Sequence, residues 1–191
     1  MRLRPPGRLR RRLTNDILSR LPATEGGEIR VCFKPNLHSV GRQILSGNRG
    51  QPIHGASHLR KREIVLDAAL RNRPGELRRI FIHELFHFAW VRLSNATRHS
   101  YTDLVSREFE KGARGELGWS ADYRKDEFRR TTDGTRNERR WRDYVCESFC
   151  DTAAWFFSGL RTHPEFTLSQ QHRKARARWF GEYFKDRSVL I

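Results

Sequence analysis

The chain has 191 residues, 37% hydrophobic and 11% aromatic, enough for one sizeable core and an argument against disorder. Lys and Arg number 38 against 22 Asp and Glu, a net charge of +16 that excludes an acidic solvating protein and suggests an anionic contact. Three cysteines (Cys32, Cys146, Cys150) are too few and too odd in number for a disulfide framework, and no stretch approaches the roughly 20 apolar residues of a membrane span.

The N-terminus, MRLRPPGRLRRRL, is basic but no apolar segment follows it, so it does not read as a secretory signal. Residues 1–12 are expected to be a basic arm on a reduced, cytoplasmic protein. A short helix is predicted over 13–21, with Thr14 or Asn15 as its cap. Alternation over Glu28 to Lys34 predicts a strand, and Arg42 to Leu45 a second short one. Residues 46–61, rich in Gly, Ser and His, read as a loop, and Glu63 to Leu66 as a further strand.

Pro74 and Glu76 open a helix whose body, LRRIFIHELFHFAWVRL, is apolar almost all round, as a central buried helix should be. Polar helical pieces follow at Thr102 to Glu110 and Ala121 to Arg129, broken by Gly112, Gly115 and Gly118. A second strongly apolar helix runs from about Asn137 to Ser158, stopped by Gly159 and Pro164, and a basic amphipathic helix covers Ser169 to Lys185. Strands come first and helices after them, so the fold class is α+β.

The informative segment is His83-Glu84-Leu85-Phe86-His87. Two imidazoles four residues apart on a helix share a face one turn apart, within reach of one zinc ion at about 2.0–2.1 Å. Glu84 points to the same open side, where it can take a proton from an attacking water. The helix is otherwise greasy, so two His and a Glu would be costly to bury without partners. The competing reading is a pair of satisfied core histidines, with Glu84 capping something nearby.

On this motif the chain resembles the zinc metallopeptidases that carry His-Glu-x-x-His. The metzincin extension is absent, since Trp90 and Leu93 stand where its Gly and His would be. The other large group, the gluzincins, takes a Glu from a second helix, often followed four residues later by an Asp that supports a zinc histidine. Three such pairs exist: Glu63/Asp67, Glu147/Asp151 and Glu182/Asp186. The first precedes the motif, and the last lies on the basic terminal helix. Glu147/Asp151 sits inside the apolar YVCESFCDTAAWFF, where two carboxylates need a cation and donors. The resemblance therefore implies a zincin-like domain over 13–191, with a sheet part at about 28–67, an active-site helix at about 75–93 and a ligand helix at about 137–158. It also implies zinc held by His83, His87 and Glu147, with Glu84 as general base and Asp151 orienting a zinc histidine. Glu182 and His99 are the alternative third ligands.

Cys146 and Cys150 could bind zinc but read better as small buried hydrophobes. Tyr144, His163, His172 and Tyr183 are weighed as oxyanion donors, with none preferred. The strand at 63–66 is expected to be the edge of the cleft, on which an extended protein or peptide substrate would pair. The rival function is a basic nucleic-acid-binding module with a structural metal or none. Its affinity would depend steeply on salt and be indifferent to Glu84.

Overall fold

The computed structural model describes residues 3–4, 16–40, 43–47, 49–131 and 134–191, with 3–4 and 134–136 described by backbone alone. In chain order the strands are β1 (Leu3–Arg4), β2 (Thr24–Glu25), β3 (Ile29–Lys34), β4 (Leu37–Val40), β5 (Gln43–Ser46), β6 (Gln51–Pro52), β7 (Gly55–His58), β8 (Glu63–Asp67) and β9 (Val189–Leu190). The helices are α1 (Pro74–Trp90), α2 (Asn95–Glu110), α3 (Trp119–Arg129), α4 (Gly134–Ser158) and α5 (Gln170–Phe184). Small sheets and a larger helical part make the fold α+β, with most of the helix in the C-terminal half. Among the described residues, no helix is long and apolar enough to cross a membrane.

The main sheet has the order β1-β3-β8-β7, parallel across its first three strands and closed by the antiparallel β7. β8 is interior and reads as a solid apolar run because Ile64, Val65 and Leu66 are all buried. The expected edge strand at 63–66 is therefore corrected: the edge is β7, which lies inside the stretch read as a loop. Its four residues are all half-buried, so no alternation of apolar and polar positions marks it. β6 also falls within that stretch, in a separate small sheet of order β5-β4-β6.

Within the expected basic arm, Leu3–Arg4 pairs in parallel with Ile29–Arg30. The rest of the arm, the cap candidates Thr14 and Asn15 of the helix expected over 13–21, and Arg42 lie outside the described residues. Residues 16–18 form a helical turn that buries Ile17.

α1 packs its length against α4 and the sheet. Pro74 fixes its first turn, with Glu76 close behind. One side of α1 carries Phe86 into a ring cluster with Phe149, Phe157, Phe180 and Phe184, at centroid distances of 5.5–6.4 Å. Burying five such rings contributes several kcal/mol beyond what the bare helix could supply. Beside this wall of rings, His83 and His87 meet the Glu147–Asp151 turn of the same helix α4. The chain closes with β9 pairing in parallel to β2.

Candidate metal centre

His83, Glu84 and His87 occupy one face of α1, with the Glu147–Asp151 turn of α4 opposite. His83 donates from Nδ1 to Asp151 Oδ1 at 2.8 Å. That bond leaves Nε2 of His83 pointing into the site. There it lies 3.2 Å from His87 Nε2 and 3.2 Å from Glu147 Oε2, and His87 Nε2 lies 3.7 Å from the same carboxylate oxygen. Two nitrogens at 2.0–2.1 Å from one tetrahedral ion would be about 3.4 Å apart, so the spacing suits a single small cation. The structure brings together the three expected ligand residues, and Asp151 stands behind one of them.

The electrostatics agree with the geometry. Burial alone would push His87 down, but the Glu147 carboxylate and the Cys146 thiol outweigh it and raise the imidazole to about 9. Burial would likewise raise Glu147, yet the charges and hydrogen bond of His87 and His83 hold it at about 2. His83 is raised well above its usual range against its own burial, with Asp151 as the main opposing influence. Carboxylates that favour positive charge on both imidazoles would favour a bound cation in the same place.

Asp151 is held on its other side by a backbone amide, since Ala121 N donates to Oδ2 at 2.9 Å. Gly118, in the turn before α3, makes that approach possible, because a Cβ there would fall on the Asp151 carboxylate. Glu84 is steered by β7. Ser57 Oγ lies 2.6 Å from its Oε2 and 2.7 Å from its carbonyl oxygen. Gly55 lets the strand come this close, since a Cβ would sit 2.8 Å from Ile80 Cγ2 and 3.0 Å from the Glu84 carboxylate. Sequence reasoning missed Ser57, Gly55 and Gly118. The only sequence signal for them is small residues one or two places from an element boundary.

Two hollows open on this face. One of about 440 Å³ runs between Ile53, Ile80 and Trp119, with His83 and Glu84 in its wall. The other, of about 280 Å³, lies over Ser57, Glu84, His87 and Glu147. Cys146 Sγ sits 3.7 Å from His87 Nδ1. Its thiol is held at about 6, first by the hydrogen bond from Cys150, against burial, and with help from His87. Cys150 is fully buried in the main core, as a small hydrophobe would be.

The remaining candidates lie elsewhere. Glu63 pairs with Arg30 at 2.7 Å, and Asp67 caps a short 3₁₀ turn through Ala69 N. His99 and Glu182 are exposed on α2 and α5. Tyr144 is buried and donates its hydroxyl to Glu116, His163 pairs with Glu76 at 2.9 Å, and Tyr183 stacks on Trp179. His172 lies 3.9 Å from Glu108. No family model, curated protein or solved structure matches the chain.

Proposed function

We propose that this protein is a zinc-dependent peptidase of the gluzincin kind on a zincin-like fold, acting on protein or peptide substrates. The carrying observation is the convergence of His83 Nε2, His87 Nε2 and Glu147 Oε2, with Asp151 bonded to the far nitrogen of His83. An imidazole pair and one carboxylate, leaving a fourth position open, is the donor set of a catalytic rather than a structural zinc. The antiparallel edge strand β7 beside the motif helix supports the zincin-like assignment. It also offers backbone groups on which an extended substrate can pair with little regard to sequence.

When bound, zinc lowers the pKa of a water to about 7 and polarises the scissile carbonyl. The chain's own groups supply the rest. Glu84, oriented by Ser57, takes the proton of the attacking water and delivers it to the departing amine nitrogen. Asp151 keeps the proton of His83 on Nδ1, so that Nε2 stays free to donate its lone pair. The larger hollow, walled by Ile53, Ile80 and Trp119, fits a bulky apolar side chain next to the scissile bond.

Replacing Glu84 by Gln keeps the volume and removes the base. Peptide hydrolysis should fall by about 10²–10⁴-fold while metal content stays at the wild-type level. Hydrolysis at the wild-type rate in Glu84→Gln would refute the role.

A further inference from the structure

The His87 ring has two nitrogens, and consecutive residues of α4 address one each. Glu147 faces Nε2, with its Oε2 3.7 Å away, and Cys146 faces Nδ1, with its Sγ also 3.7 Å away. Cys150 stands one turn beyond Cys146 on the same side of the helix. Donor atoms of His87, Cys146 and Cys150 all lie within 4.8 Å of one another. The i,i+4 pair of thiols on α4 thus faces the i,i+4 pair of imidazoles on α1 across a shared ring.

We propose that His87 Nδ1, Cys146 Sγ and Cys150 Sγ form a second metal position, selective for a soft, thiophilic ion. Sulfur at about 2.3 Å and nitrogen at about 2.0–2.1 Å from one tetrahedral ion stand about 3.6 Å apart, close to the observed 3.7 Å. Two thiolates and one imidazole favour zinc, cadmium or monovalent copper, and disfavour magnesium or calcium. The first position, with two imidazoles and a carboxylate, is the harder of the two. Binding at the second position uses both sulfurs as thiolates and the Nδ1 lone pair, so whatever protons those three atoms carry go to solvent. Cys150 is sealed in the core while Cys146 is partly open, so the ion enters past Cys146.

The position requires only the His87 ring and the two thiols, whatever the first position holds, so it stands or falls independently of the peptidase reading. Metal-free protein titrated with cadmium should develop the ultraviolet thiolate-to-metal charge-transfer band, with up to two ions bound per chain. Cys146→Ser and Cys150→Ser should each lose most of the band, whereas Glu147→Gln should keep it and bind one ion fewer. No band in wild type would overturn the proposal. So would a band that survives both serine variants, which would place the thiolate at Cys32. If hydrolysis fails in every preparation but the band behaves as described, the peptidase reading falls and this one stands.

Discussion

Gly118 has an ordinary extended backbone, so its lack of a side chain reflects space rather than torsion: the Asp151 carboxylate occupies the position a Cβ would take. Through Asp151 that space reaches His83, so one methyl group in a turn disturbs the orientation of an imidazole on another helix. Gly118→Ala should therefore weaken zinc binding by about 10–100-fold, as loss of a group supporting a metal ligand does. Competition against a chromophoric chelator measures this. An unchanged affinity would show that Asp151 does not act through the His83 ring. Asp151→Asn keeps the shape but loses the carboxylate charge, and should fall between wild type and Gly118→Ala.

At the scale of elements, the three helices around the motif helix are tied together by an interior set of charges. Arg176 on α5 donates to Glu108 on α2 at 2.7 and 2.9 Å and to Glu116 at 2.8 Å, and Lys125 on α3 donates to Glu116 at 2.8 Å. Burial would raise Glu116, but Arg176 and Lys125 outweigh it and lower the carboxyl below its usual 4.5. A depressed carboxyl stabilises the fold above pH 4.5, and that stability is lost as pH falls through the lower folded value. Glu116→Gln leaves Arg176 and Lys125 short of an anion, and should cost about 3–5 kcal/mol at neutral pH. The deficit should shrink on acidification below pH 4.5, as read from denaturant midpoints at several pH values. A deficit constant with pH would mean that Glu116 is not charged in the folded protein.

The sequence made some of these elements legible and hid others, for physical reasons. α1 and α4 stand out because carboxylates and imidazoles at helical spacing interrupt runs of Phe, Leu and Ala that only a buried helix would carry. β7 was illegible because a four-residue edge strand of Gly, Ala, Ser and His, half-buried throughout, has neither alternation nor β-branched residues. The support for Asp151 was hidden differently: it comes from the main-chain amide of Ala121 and the bare backbone of Gly118, where no side chain signals a role. The Arg176–Glu116 contact joins residues 60 apart, and nothing local in a run of basic residues marks the one that turns inward.

For the whole molecule, the candidate centre is also a clamp between α1 and α4, the two helices at the middle of the fold. A ligand bound only by the folded state stabilises it by about 2.7 kcal/mol at a hundredfold excess over its Kd. With Cys146 and Cys150 replaced by Ser, zinc should therefore raise the Tm of the metal-free protein in a concentration-dependent way, and should do so far less once Glu147→Ala is added. An equal rise in both proteins would place the bound ion away from the His83, His87 and Glu147 position. The net charge of +16 belongs to the same scale. Among the described residues, Arg79, Lys125 and Arg176 are buried against carboxylates and are closed to a polyanion. The most direct measurement is elemental analysis of purified, zinc-reconstituted wild type, His83→Ala and Glu147→Ala, each kept folded as judged by circular dichroism. With Cys146 and Cys150 replaced by Ser in all three backgrounds, the account predicts about one zinc per chain in wild type and little or none in either variant. Zinc absent from the wild-type background, or retained in full by Glu147→Ala, would contradict it.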